Sequence, residues 1–423
     1  MNRQSYTFDL VTFLLYMALV IFGWLTIYAV TDPSGDVGFD KFSSPHVKQL
    51  VWIGVSLVLL LVMQAISPRF LEAVSYPAYG LSILLLLAVL LVGKEINGAK
   101  SWIVIGGFRM QPSEIAKVAT ALTLARLMSM PSFSFKNLNH ALIAFAIIAV
   151  PAVIIVLQRD AGSALVFGSF LIVFFREGLN PLIPAALLIF AAVLALTLGL
   201  GVVWAIVLVC VGGVLFFVLT FNARRWVSSA IVTVSTIVFL SLLSFSAKYA
   251  VDKLPKHQQN RLMVLFHPDE VDPKGRNEAY NFNQSVTAIG SGGFWGKGYR
   301  EGTYTKYEFV PEQETDFIFC TIGEERGWFG SLITIGLLFG FLMRIRFVAE
   351  NGKTRFLRVF GYGALGIYFF HIMVNIGMTI GLMPVIGIPL PFFSYGGSGL
   401  LGFSMLIAIL LSLYGHRSGI LGK

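Results

Sequence analysis

The chain has 423 residues, of which 56% are hydrophobic and only 13% charged, with a mean hydropathy of +0.79. A soluble domain of that composition would leave large apolar patches facing water, so what remains is an all-α polytopic membrane protein. The net charge of +9 does not mark a nucleic-acid binder: Lys and Arg sit in short loops between apolar runs, with no basic patch interleaved with aromatics. Cys210 and Cys320, the only cysteines, lie inside apolar segments, and the six histidines form no HExxH pair, so neither a disulfide framework nor a zinc site is expected.

A helix needs about 20 apolar residues to cross a bilayer. Twelve segments qualify or nearly do: 11–30, 48–66, 78–93, 112–128, 139–157, 162–176, 181–199, 202–221, 228–248, 317–343, 357–380 and 399–415. The first follows MNRQSYTFDL with no small-residue cleavage site behind it and reads as a span, not a removable signal. With both termini cytoplasmic, Arg69, Lys136, Arg176, Arg344, Arg346, Arg355 and Arg358 fall inside, as the positive-inside rule expects. Lys94, Lys100 and Arg109 then fall outside, in the loop 94–111, and need another reason. The stretch 249–315 is the one large extracytoplasmic loop. Within it KHQQNRLMVLF is expected to form a short helix, and Phe282, Val286 and Ile289 recur as on a helix lying along the membrane surface. GSGGFWGKG cannot sustain a helix and is expected to fold back against the bundle.

Four polar stretches carry candidate chemistry. Asp316 follows Thr315 where the large loop enters a helix about 40 Å long, and reads either as a helix cap or as a carboxylate facing what the loop covers. Glu312, Glu314 and Glu325 lie nearby, either as solvated loop charges or as weak ligands for a divalent cation beside a phosphate. In FRMQPSEIAK, Pro112 fits a first helical position after Gln111, and Glu114 and Lys117 share a face with Arg109 just outside. This is a structural ion pair or a basic wall for an anionic headgroup, since charges within membrane helices point into the bundle. Gln158 and Asp160 in QRDAGSALV stand at a span boundary, as a cap or as lining of the same cavity. Pro384, Pro389, Pro391 and the glycines of SYGGSG forbid a regular helix, so this is a broken or re-entrant element with Ser394, Tyr395 and Ser398 near its tip.

Taken together and in this order, NGAKSW, FRMQPSEIAK, QRDAGSALV, AIGSGGFWGKG, VPEQETDFIF, GEERG and GIPLPFFSYGGSG resemble the SEDS family (shape, elongation, division and sporulation) over nearly the whole chain. GIPLPF before SYGGSG is closer to its RodA elongation branch than to the FtsW division branch. The resemblance implies one integral membrane domain over 1–423 that polymerises lipid II into glycan strands during elongation and releases undecaprenyl pyrophosphate. It implies Asp316 as the essential acid, with Arg109 and Lys117 important; Gln111, Glu114, Gln158, Asp160, Ser394 and Ser398, read from the polar stretches themselves, are the candidate substrate contacts. It also implies a class B penicillin-binding protein as transpeptidase partner within the elongation machinery, and leaves room for Mg²⁺ or Mn²⁺. The rival classes are a lipid II transporter and a non-catalytic scaffold. Three departures stand out: Arg159 at a proline position, Arg326 where EELG is usual, and about ten spans in the family against twelve here, which places an extra pair in 181–247.

Overall fold

A computed structural model of the chain describes residues 8–34, 44–96, 98–105, 108–219, 226–253, 259–260, 263, 266 and 278–416. It divides into two compact units, Met1–Leu179 with Gln284–Lys423, and Asn180–Asn283. In the first unit, α1 (Leu10–Thr31), α2 (Pro45–Gln64) and α3 (Pro68–Val92) lead to three short strands, β1 (Lys94–Ile96), β2 (Ala99–Ile105) and β3 (Phe108–Met110). Then come α4 (Pro112–Ser129), α5 (Leu138–Leu157) and a span broken into α6 (Ala161–Val166), a 3₁₀ turn (Phe167–Phe170) and α7 (Leu171–Arg176). The second unit holds α8 (Leu182–Leu200), α9 (Val202–Leu219) and α10 (Trp226–Asp252), packed on one another. After α11 (Glu278–Ser291) and α12 (Thr303–Lys306), the first unit closes with α13 (Ile318–Glu350), α14 (Arg355–Thr379) and α15 (Gly397–Gly415).

All twelve expected segments are helical. Nine helices among the described residues are long and apolar enough to cross a membrane, and two more, within 161–176 and 202–218, are apolar but shorter. The twelfth, α4, carries Ser113, Glu114, Lys117, Thr120 and Thr123, all buried. It is polar because it is wrapped by protein on α3, α14 and α15 and not by lipid. Helices α14 and α15 are likewise buried over 72% of their spans, which puts α4, α14 and α15 at the centre of the bundle.

Three boundaries differ from expectation. Helix α3 starts ten residues early, because Ser67 accepts from Phe70 N at 3.4 Å, Pro68 occupies the first turn, and Glu72 in this polar extension pairs with Arg126 at 2.8 Å. The 94–111 loop is an antiparallel sheet in the order β1-β2-β3, turned at Gly98 with φ +81°. Most of KHQQNRLMVLF lies outside the described residues. In the part of α11 belonging to the first unit, Ser285 and Ala288 are buried and Ser285 Oγ donates to Thr379 O at 2.9 Å, so that part packs on protein, while Val286 stays exposed.

Candidate functional site

The four polar stretches meet around the segment 380–396 between α14 and α15. It has three prolines and no helix, so its carbonyls need donors from elsewhere. Asn375, fully buried on α14, gives its amide to Ile388 O and to Asp316 O, both at 2.7 Å. One turn earlier, His371 Nδ1 lies 3.1 Å from Pro389 O. A carbonyl only accepts, so the proton is on Nδ1 and Nε2 is an acceptor. Ser394 Oγ donates to Thr315 O and accepts from Leu390 N, and Tyr395 N donates to Glu314 O at 2.7 Å. The TDF stretch and the proline loop are thereby one hydrogen-bonded body.

Asp316 is half-buried in it. Helix α13 begins at Ile318 with Phe317, not Asp316, at the cap position, so Asp316 stands two residues before the helix. Its carboxylate faces Gly387: a Cβ built there would lie 3.1 Å from Asp316 Oδ2. Beside it, burial pushes the half-buried Glu314 carboxyl up, with the charges of Glu312 and Glu308 adding to the shift. Burial also raises the Tyr395 phenol, opposed by the positive charge of Arg109 and assisted by Glu314. Arg109 is exposed on β3, next to Tyr395, with β3 packed on α15. Among the described residues no three acidic, His or Cys side chains gather closely enough to hold a metal ion by themselves.

Gln111 joins the second and third stretches. Its backbone N donates to Ser398 Oγ at 3.0 Å, and its amide donates to Asp160 Oδ2 at 2.9 Å and Ser163 Oγ at 3.2 Å. Of the two readings left open for Asp160, the cap is the one observed: it caps α6 through Ser163 N at 3.0 Å. Gly162 allows Ile386 to approach: a Cβ there would meet the Ile386 carbonyl at 3.1 Å. Gln158 is 1% exposed and donates to Leu86 O at 2.8 Å, so it ties α3 to the turn before α6 and does not line a cavity. Lys100 answers for one charge on the unexpected side of the bundle. Its ammonium caps the end of α3 at Leu90 O, 2.8 Å away.

Lys117 corrects the expected basic wall. It is 2% exposed, donating to Glu114 Oε1 at 2.8 Å and to His371 Nε2 at 2.9 Å, with its charge 5.3 Å from the Phe403 ring. The structural ion pair is what the sequence encodes here, extended by a histidine. His371 and Asn375 were not singled out from the sequence. The signal was available, as the two stand four apart in the otherwise apolar YFFHIMVNIGM.

The glycine-rich stretch 292–298 does fold back onto α13. Lys297 N and Gly298 N donate to Glu324 O and Glu325 O at 3.0 Å, and Trp328 N donates to Gly293 O at 2.9 Å across the break at Gly327, φ +65°. Glu324, fully buried, accepts from Lys297 Nζ at 2.6 Å, Tyr304 N at 2.8 Å and both Thr305 donors at 2.9 Å. This clamp fixes the segment that delivers Asp316.

A family model described as cell cycle protein, covering FtsW, RodA and SpoVE, matches residues 9–204 and 175–419. The peptidoglycan glycosyltransferase MrdB of Escherichia coli K12 is 32% identical over 406 residues, covering 96% of this chain and 92% of the relative. The peptidoglycan glycosyltransferase RodA of Treponema pallidum is 33% identical over 436 residues, covering 96% and 97%. A chain from a peptidoglycan synthase complex, solved for how polymerisation and crosslinking are coordinated, superimposes with a TM-score of 0.70 at 26% identity, covering 97% and 98%. The rod shape determining protein RodA of Thermus thermophilus does so at 0.61 and 25%, again covering 97% and 98%.

Proposed function

This chain belongs to the FtsW, RodA and SpoVE family of cell cycle proteins and is a multi-pass membrane peptidoglycan glycosyltransferase, and from that premise we propose that it polymerises lipid II with the Asp316 carboxylate as the general base of the reaction. The C4 hydroxyl of the acceptor GlcNAc attacks C1 of the donor MurNAc. The new C4–O–C1 bond forms as the bond from C1 to the pyrophosphate oxygen breaks. Asp316 takes the hydroxyl proton, and undecaprenyl pyrophosphate leaves with the bonding pair. Arg109, exposed beside Tyr395, offsets the charge growing on the pyrophosphate. Gln111, Asp160 and Ser398 hold the opposite wall. Lys117, Glu114 and His371 act beneath the loop as positioning residues. A Mg²⁺ or Mn²⁺, if it takes part, would be held by the substrate pyrophosphate with Glu312 or Glu314 beside Asp316 and would offset charge on the leaving group.

The observation that carries this reading is the half-buried Asp316 carboxylate facing Gly387 within the hydrogen-bonded body that joins the motif stretches. Arg344, Arg355 and Arg358 pair with Asp9 and Glu177 at the other end of the bundle from Asp316, which supports chemistry on the face opposite them. By the positive-inside rule that basic end is cytoplasmic, together with both termini. A class B penicillin-binding protein is the partner this reading calls for, matching a neighbour from a complex that couples polymerisation with crosslinking. The test is glycan polymerisation from purified lipid II with that partner present. Asp316→Ala and Asp316→Asn, shown to fold and to bind the partner, are expected to make no chains. Chains of ordinary length from Asp316→Asn would remove Asp316 from the chemistry.

A further inference from the structure

A groove of about 310 Å³ opens on the surface between α1 and α13. Its walls are Phe22 and Leu25 on α1 and Gly330, Ile333 and Leu337 on α13, with one charged residue, Arg326. Arg326 stands at the Asp316 end, and from there to Leu337 the helix rises about 16 Å.

The depth of Arg326 can be read from its neighbours. Helix α13 is too long for a bilayer as one piece, and it breaks at Gly327. The part from Trp328 to Glu350 rises about 34 Å, close to the roughly 30 Å of the hydrocarbon core. At its head Trp328 is 58% and Trp295 72% exposed, joined through Phe294, 5.4 Å from Trp328, and Phe329, 5.3 Å from Trp295. Exposed tryptophans of this kind mark the interface between headgroups and hydrocarbon. Arg326 therefore lies at headgroup level, with the apolar groove running from it into the hydrocarbon. Its guanidinium is held over Phe22 at 4.5 Å and Tyr299 at 5.6 Å from the ring centroids, and it makes no ion pair with a described carboxylate.

We propose that this groove is a binding site for an anionic phospholipid, with the lipid phosphate on Arg326 and one acyl chain lying along Phe22, Gly330, Ile333 and Leu337. A fixed guanidinium suits a phosphate through paired N–H donors, and the aromatic rings beneath it hold the fork in place without consuming its charge. Gly330 keeps the wall open beside the arginine, since a Cβ there would fall 2.3 Å from Arg326 Cβ. None of the groove residues belongs to the proline loop, although Phe22 backs onto Phe393 of that loop, 5.3 Å between ring centroids.

The full chain, stripped of lipid in detergent, is titrated with phosphatidylglycerol and the bound lipid counted by native mass spectrometry. Parallel titrations use phosphatidylcholine and undecaprenyl phosphate. One phosphatidylglycerol is expected to be held at least about tenfold more tightly than phosphatidylcholine, and about tenfold less tightly by Arg326→Leu. Ile333→Trp, which fills the groove and leaves the charge, is expected to weaken it similarly, while Arg326→Lys keeps most of the binding. Gel filtration and helical content report folding. Should Arg326→Leu not fold, Ile333→Trp and Arg326→Lys decide. Binding unchanged in Ile333→Trp or in a folded Arg326→Leu overturns the proposal. So does displacement of phosphatidylglycerol by undecaprenyl phosphate at tenfold lower concentration, which would assign the groove to the polyprenyl product.

Discussion

Gly387→Ala tests whether the proline loop aims Asp316. The residue has φ +78°, so alanine there costs about 1 kcal/mol or more in backbone strain. Its Cβ would lie 3.1 Å from Asp316 Oδ2, inside ordinary van der Waals contact, so the carboxylate must retreat by a few tenths of an ångström. A 1 Å misplacement can cost about 100-fold in rate. A shift of roughly 0.3 Å therefore predicts a fall of about threefold to tenfold in turnover, equivalent to about 1 kcal/mol of barrier. Gly98→Ala is the control: φ is +81°, the backbone penalty is the same, and nothing lies within 4 Å of the added carbon. Both variants are assayed for glycan polymerisation from purified lipid II under saturating substrate, with thermal unfolding in detergent alongside. The expected pattern is similar destabilisation in both with a turnover defect confined to Gly387→Ala. Equal turnover in the two variants would refute the claim that the loop controls the carboxylate.

Lys117→Met strands the Glu114 carboxylate, whose Oε2 already lacks a partner among the described residues; a loss of about 3–5 kcal/mol is expected, partly restored by adding Glu114→Gln, as read by thermal unfolding of the single and double variants. Glu324→Gln removes the ion pair with Lys297 and weakens the bonds to Tyr304 and Thr305, so amide hydrogen exchange across 297–306 should quicken about tenfold while exchange in α14 holds. At the opposite end, burial pushes the Glu177 carboxyl up, but hydrogen bonds from Arg358 and Arg355 outweigh it and hold the group below its usual value. The folded pKa is depressed, so its contribution is present above the unfolded pKa of about 4.3 and is lost as pH falls through the folded one. The Tm gap between the unaltered chain and Glu177→Gln should shrink as pH drops below about 4.

What the sequence made legible follows from what periodicity and composition record. Spans facing lipid must be apolar, so α1, α5 and α15 were placed within a few residues. The start of α3 was missed because Arg69 and Glu72 are paid for by a cap and an ion pair, and neither leaves an apolar trace. The sheet β1-β2-β3 was missed because a loop reading absorbed its alternation in SWIVI. Within the site, Asp316, Gln111, Asp160, Ser394 and Ser398 were found because they break apolar runs. Gln158 and Lys117 were found with two readings open: an isolated polar side chain in a membrane helix must point inward, and sequence does not say whether inward means a cavity or another helix.

The same accounting explains why α14 carries His371 and Asn375. The segment 384–391 contains Pro384, Pro389 and Pro391, which offer no N–H, yet every peptide in it still presents a carbonyl. At membrane depth an unpaired carbonyl costs several kcal/mol, so the deficit has to be met by donors from outside the loop. Asn375 supplies Ile388 O and His371 supplies Pro389 O, while Leu390 O receives Phe393 N at 3.2 Å and Ser394 N at 3.0 Å. His371 can present its proton on Nδ1 because Lys117 donates to Nε2, and Lys117 can stay buried because Glu114 accepts from it. Asn375 also holds Asp316 O, so the donors that satisfy the proline loop are those that locate the acid. The charges on α4 thus reach the segment that carries Asp316 through the tautomer of one histidine and two backbone carbonyls, so on the proposed reading Lys117 acts on Asp316 from beneath the loop.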